Sequence, residues 1–197
     1  MSKIAFFGGS FDPIHLGHLF VALQLLEERV VDHIYFSPAY QSPHKLNMSS
    51  QASAEKRLEM VKLAIAGIEG CYCYEGEALN PQTSFTVDSL KRFKENFTPE
   101  DEIYFILAED AAATFHLWKN PETILELARP IIVGRSGSQE SFKKYRLLSE
   151  ENFIPIKKFD ISSTEIRERL KKSLYVKHLL LDKVIDYIYQ NQLYYTS

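Results

Sequence analysis

Cysteine is scarce in this chain, with two residues, Cys71 and Cys73, among 197. Alternate positions on a strand share a face, but two thiols alone do not complete a zinc site, so the pair is read as buried and reduced. Long hydrophobic runs are missing. No apolar stretch reaches the roughly 20 residues needed to span a bilayer. The N-terminal run breaks at Gly8, too early for the apolar core and cleavage site of a signal peptide. A cytoplasmic location and no membrane partner are therefore expected. Positive charge is not in excess either: 23 Lys and Arg stand against 26 Asp and Glu, a net charge of −3. That balance argues against a broad basic surface and a nucleic-acid partner, while permitting a local positive pocket for a small anion. Two familiar phosphate loops are also absent after the first apolar run. There is no Gly-Lys-Ser/Thr ending of a P-loop and no G-x-G-x-x-G of a dinucleotide-binding dehydrogenase.

What is present is a globular composition, 45% hydrophobic, in a length that fits one domain over residues 1–197. Short apolar runs bounded by Gly, Pro or polar turns predict strands at Lys3–Phe7, His33–Ser37, Cys71–Tyr74, Ile103–Leu107, Ile131–Val133 and Phe153–Ile156. Leu16, Leu19, Phe20, Leu23 and Leu26 recur at helical spacing and predict a helix over Leu16–Glu28. Ser53 caps a second helix carrying Leu58, Val61, Leu63 and Ile65. Further helices are expected at Phe85–Phe93, from Pro121 to near Ala128, from Ser162 or Ser163 to about Lys172, and over Leu179–Gln190. Ala39–Ser50 and Arg135–Glu140 read as loops. Alternating strands and helices predict an α/β fold with a parallel sheet, helices on both faces and a C-terminal helical segment.

Between the first strand and first helix lies Gly8-Gly9-Ser10-Phe11-Asp12-Pro13-Ile14-His15-Leu16-Gly17-His18. In an open parallel sheet, ligands bind beyond the carboxyl ends of the strands. A helix N-terminus there offers free N–H groups and a positive dipole to phosphate, and Gly8 and Gly9 allow close backbone approach. His15 and His18, three apart, face one side and can both donate to one anion. Either histidine alone would read as structural; the pair, the glycines and the location together point to a phosphate site.

This segment resembles the signature of bacterial nicotinate-nucleotide adenylyltransferases, within the nucleotidylyltransferase superfamily whose His-x-Gly-His core it carries. The resemblance continues at Ile161-Ser162-Ser163-Thr164-Glu165-Ile166-Arg167, similar to the family's Ile-Ser-Ser-Thr-x-Ile-Arg. Taken alone, those residues read as an ordinary capped helix with capping-box spacing at Ser162 and Glu165. Other matching segments are Ser42-Pro43-His44-Lys45, Ser84-Phe85-Thr86-Val87-Asp88-Ser89-Leu90, Leu107-Ala108-Glu109-Asp110, Trp118 with Lys119, and the terminal Tyr187-Ile188 followed by Leu193-Tyr194. Departures are Ser42 for Pro, Phe85 for Tyr and Ala108 for Gly.

The resemblance implies a Rossmann-like fold and a transfer of adenylyl from ATP to nicotinate mononucleotide, giving nicotinate adenine dinucleotide and pyrophosphate, a step in NAD biosynthesis. It implies catalytic roles for His15, His18, Lys45 and Arg167. It implies ATP contacts from Gly8, Gly9, Ser10, Phe11, Ile161, Ser163 and Thr164 together with those four. Thr86, Asp110, Trp118 and Lys119 would meet the mononucleotide, and Mg2+ would accompany ATP. On their residues alone, Thr86 reads equally as a helix-start threonine, Asp110 as a helix cap, Trp118 as a packed core residue and Asp12 as either a metal candidate or a turn residue; no metal ligand is assigned. Two competing readings remain. One is pantetheine-phosphate adenylyltransferase, disfavoured by Gly8-Gly9, by the 162–167 segment and by Trp118. The other is a nucleotide-binding regulator without catalysis, supported by Ala108 and opposed by His15, His18 and Arg167. Nothing in the sequence sets an oligomeric state.

Overall fold

The computed structural model describes residues 1–42, 51–134, 147–156 and 161–195. Six strands form one sheet: β1 (Lys3–Gly9), β2 (His33–Pro38), β3 (Cys71–Cys73), β4 (Glu102–Ala108), β5 (Arg129–Gly134) and β6 (Phe153–Pro155). Their order is β3-β2-β1-β4-β5-β6 and every neighbouring pair is parallel. The chain therefore winds outward from β1 in one direction, returns, and winds outward from β4 in the other. The reversal opens a crevice at the carboxyl ends of β1 and β4, the topological switch point where such sheets bind ligands.

Side-chain alternation along the strands divides the interior in two. Ala5, Ile34, Phe36, Ile106, Ile131 and Val133 belong to one core, packed with α1 (Leu16–Glu27), α2 (Ala54–Ile65), α6 (Ser163–Lys171) and α7 (Asp182–Gln190). Ile4, Phe6, Ile103, Phe105, Leu107 and Ile132 belong to the other, packed with α3 (Thr86–Lys94), α4 (Glu109–Ala113) and α5 (Pro121–Leu127). Both faces of the sheet are thus covered, which is why its strands read as short continuous apolar runs. Ser53 Oγ accepts the Lys56 N–H at the start of α2, and Pro121 occupies the first turn of α5.

Four local differences from the sequence expectations have physical causes. The last helix begins at Asp182, not Leu179. The Leu179 carbonyl accepts the Leu16 N–H at 3.0 Å, so that stretch docks onto the start of α1 instead of closing a helical turn. Three elements were not foreseen, α4 and the 3-10 turns at Phe115–Leu117 and Glu150–Asn152. All are shorter than the window over which helical periodicity shows. The loop expected at Arg135–Glu140 and most of the one expected at Ala39–Ser50 lie outside the described residues. No helix among the described residues is long and apolar enough to cross a membrane.

Candidate active site

The β1–α1 loop leaves the sheet at its switch point. Gly8, Gly9 and Ser10 line a cavity there with Ser42, Glu77, Thr86 and Trp118. A Cβ on Gly9 would meet the Phe11 ring at 3.0 Å, so the missing side chain lets the loop fold back over its own aromatic. Phe11 is buried with φ 46°. Gly17 serves His15 in the same way, since a Cβ there would lie 3.1 Å from His15 Nδ1.

His15 is the N-cap of α1 and its ring stacks on His18 with centroids 3.7 Å apart. The His15 N–H donates to His18 Nδ1 at 3.2 Å. That nitrogen therefore carries a lone pair, and the neutral His18 ring keeps its proton on Nε2 as a donor. Burial lowers the His15 pKa to about 4. Burial, then the neighbouring His15, lowers that of His18 well below the usual histidine value. Both rings are neutral at pH 7 in the unliganded protein. An arriving polyanion would reverse that balance by supplying the missing opposite charge.

The N-terminus of α6 closes the loop from the other side. Ser162 caps it, accepting the Glu165 N–H at 3.1 Å. Ser163 Oγ donates to the Pro13 carbonyl at 2.9 Å. Arg167, almost buried, donates from Nη1 to the Asp12 carbonyl at 2.8 Å and from Nη2 to Thr164 Oγ1 at 3.2 Å. Its buried Nε pairs with no protein group among the described residues. Ile161 packs beside Gly17, with its Cβ 3.7 Å from where a Gly17 Cβ would stand.

Other expected site residues divide by surroundings. Thr86 is the first residue of α3 and lines the cavity, so it is both a helix start and a wall residue. Trp118 lines the same cavity and packs on Phe115 with centroids 5.4 Å apart. Lys119 turns its side chain to Asp88 at 2.8 Å and lies 4.5 Å over the Phe85 ring. Asp110 is exposed in the first turn of α4, where its Oδ1 accepts the Ala111 N–H at 2.9 Å. Ala108 is exposed with φ −72° and ψ 154°, extended backbone that makes no demand for glycine. Lys45 lies outside the described residues; the flanks of its segment, Ser42 and Gln51, stand at the site.

Three buried polar residues were given no role in the sequence reading. Arg57 is 1% exposed and its guanidinium reaches three carbonyls: Ser10 at 2.6 Å, Tyr40 at 2.9 Å and Ala52 at 3.1 Å. Glu77, buried in the cavity wall, accepts hydrogen bonds from Ser37 Oγ at 2.6 Å and from Ser89 Oγ. Burial pushes its carboxyl pKa up, against the pull of those hydroxyls. Tyr194 sends its hydroxyl to Asp12 Oδ1 at 2.7 Å. The Asp12 carboxylate also accepts the Gln51 and Ala52 N–H groups at 2.9 and 3.2 Å, so it fastens the loop from within. Among the described residues, no three His, Cys, Asp or Glu side chains are grouped to hold a metal.

Residues 6–169 match the cytidylyltransferase-like family model. Two curated relatives bear the name "Probable nicotinate-nucleotide adenylyltransferase". One, from Methylacidiphilum infernorum, is 36% identical over 98% of this chain and 92% of its own length. The other, from Hydrogenobaculum sp., is 38% identical over 98% of this chain and 99% of its own. The chain belongs to the nicotinate-nucleotide adenylyltransferase family. The nicotinic acid mononucleotide adenylyltransferase of Plasmodium falciparum, solved in complex with NaAD, shares the fold: it is 24% identical, with TM-score 0.78 and 98% of each chain covered. The same parallel α/β architecture thus recurs in a protein of low sequence identity, and the sheet whose switch point carries the His15–His18 loop is the family's own.

Proposed function

We propose that the protein joins ATP and nicotinate mononucleotide to form nicotinate adenine dinucleotide and pyrophosphate. The observation that carries this reading is the stacked His15–His18 pair at the mouth of a parallel-sheet crevice, held between a glycine loop and the N-terminus of α6. The mononucleotide phosphate oxygen attacks the ATP α-phosphorus in line; a P–O bond forms, the bond to the β-phosphate oxygen breaks, and pyrophosphate leaves with its electron pair. That nucleophile is already ionised at neutral pH, so no protein base is required. Catalysis then rests on positioning and on stabilising charge that moves toward the leaving group.

In this reading His15 and His18 donate to the reacting phosphates. Arg167 and Lys45 hold the leaving pyrophosphate, with Ser163 and Thr164 beside them. Gly8, Gly9, Ser10, Phe11 and Ile161 shape the ATP side. The mononucleotide occupies the cavity lined by Thr86 and Trp118, with the backbone at 118–119 toward its ring carboxylate and Asp110 toward ribose hydroxyls. Mg2+ would accompany the ATP phosphates and offset their charge, an ion that commonly keeps few protein ligands. The two free thiols, Cys71 and Cys73, support a reducing, cytoplasmic setting, and the single sheet supports one domain.

The test is pyrophosphate release from ATP and Mg2+ with nicotinate mononucleotide, nicotinamide mononucleotide or 4′-phosphopantetheine as acceptor, with products identified by mass. Turnover confined to phosphopantetheine would overturn the assignment, and ATP binding without turnover on any acceptor would favour a regulator.

A further inference from the structure

The last described turn of the chain ends inside the site's scaffold. Tyr194 is 6% exposed and has φ 69°, a left-handed backbone that a bulky side chain adopts at a cost and keeps when its surroundings hold it there. Gln192, two residues before, has φ 50°. What holds the turn is specific. The Tyr194 hydroxyl donates to Asp12 Oδ1 at 2.7 Å, across 182 residues of sequence. The same carboxylate receives the N–H groups of Gln51 and Ala52, and the Asp12 carbonyl receives Arg167. Asp12 lies between the Gly8–Phe11 stretch and His15, so its position sets where both parts of the phosphate loop stand.

We infer that Tyr194 is a positioning residue for the ATP site: its hydroxyl, through Asp12, holds the β1–α1 loop and the N-terminus of α6 in the register that receives the triphosphate. The inference rests on assigning that loop to ATP. Removing the hydroxyl takes the shorter of two donors from Asp12 Oδ1, leaving only the Ala52 N–H at 3.2 Å, and frees a strained turn, so the loop relaxes. The mononucleotide cavity shares Gly8, Gly9 and Ser10 with this loop, but its Thr86, Trp118 and Glu77 walls stand on other parts of the chain. The expected effect therefore falls mainly on ATP.

The experiment compares wild type with Tyr194→Phe, Asp12→Asn, the double variant and Leu193→Ala. Tyr194→Phe should lower kcat/KM for ATP ~10-fold, the scale for losing a hydrogen bond to a buried charged group, with the KM of the mononucleotide within about twofold of wild type. The Kd for MgATP by calorimetry should weaken in parallel. The double variant should be little worse than Asp12→Asn alone, because the Tyr194 hydroxyl acts through Asp12. Leu193→Ala loosens the same turn through its buried apolar side chain and should lower Tm without the ATP-specific loss. An unchanged ATP Kd in Tyr194→Phe, equal losses for both substrates, additive single-variant losses, or the same ATP defect in Leu193→Ala would each overturn the inference. Should Tyr194→Phe not fold, Asp12→Asn perturbs the carboxylate that Tyr194 acts through, together with its contacts to Gln51 and Ala52, and the ATP-specific criterion applies to it. Wild-type protein without turnover would sink the adenylyltransferase reading alone, since the MgATP Kd still decides the role of Tyr194.

Discussion

Acidification should destabilise this protein through His15 before the bulk of its carboxylates titrate. The folded His15 has a pKa of about 4, against 6.5 for an unhindered histidine, because burial disfavours its charged form. Below pH 6.5 the unfolded chain takes up a proton that the folded chain refuses. Stability is therefore full above pH 6.5 and falls until the folded pKa is reached. At pH 4.5 the unfolded group is two units past its midpoint and the folded one, with its pKa of about 4, is only about a quarter protonated. At ~1.4 kcal/mol per unit, the loss from His15 is ~2.5 kcal/mol. His18, shifted the same way, adds to it. Asn is a favourable N-cap that does not titrate, so His15→Asn isolates the effect. Urea unfolding of both proteins at pH 7 and pH 4.5 should show the variant losing ~2 kcal/mol less than wild type across that interval. Parallel losses, equal within the ~0.5 kcal/mol uncertainty of such extrapolations, would refute the claim that His15 is held neutral by the fold.

Other outcomes follow from the same geometry. Saturating MgATP should raise the histidine pKa values, so binding at pH 6 should take up protons, seen as a binding enthalpy that changes with the buffer's ionisation enthalpy; a buffer-independent enthalpy would mean the pair does not face the phosphates. His18→Ala should keep its circular dichroism spectrum and lose ~10²–10³ in kcat, the scale for one transition-state donor; normal turnover would remove His18 from the chemistry. Arg57→Lys keeps the charge but loses the planar fork, leaving carbonyls of Ser10, Tyr40 or Ala52 unpaired. A destabilisation of ~3 kcal/mol is expected in urea, and a loss below ~1 kcal/mol would show that the contacts are replaceable. Nicotinate mononucleotide should exceed its amide at least ~10-fold in kcat/KM, because the amide NH2 would face backbone N–H donors; equal efficiency would sink the acid preference.

Local signals were legible where local physics decides. The central strands show because they are buried on both faces, as with Ile103, Phe105 and Leu107 against one core and Ile106 against the other. The cap at Ser162 shows because its partner, Glu165, is three residues away. The phosphate loop shows because glycines and histidines fall within one short segment. The remainder is contact between distant parts of the chain. Nothing near Arg57 reveals that its fork will meet residues 10 and 40, and nothing near Tyr194 reveals Asp12. Glu77 reads as one more acid in a polar stretch until the fold brings Ser37 and Ser89 to it. Leu179 misled for a related reason, since its helical spacing was outweighed by a long-range hydrogen bond to Leu16.

The three carbonyls bound by Arg57 belong to segments that meet only in the finished fold. A buried guanidinium with one segment missing would be a charge stripped of water and short of partners, a state costly enough to be sparsely populated. The nucleotide cradle should therefore assemble cooperatively, with few half-formed versions. Its donors then need little reorganisation when ATP arrives, and binding energy that would order a loose loop remains for the reacting phosphates. In amide hydrogen exchange, the N–H groups of Ala52, Gln51 and Leu16 would open together, as one unit, rather than fray in sequence.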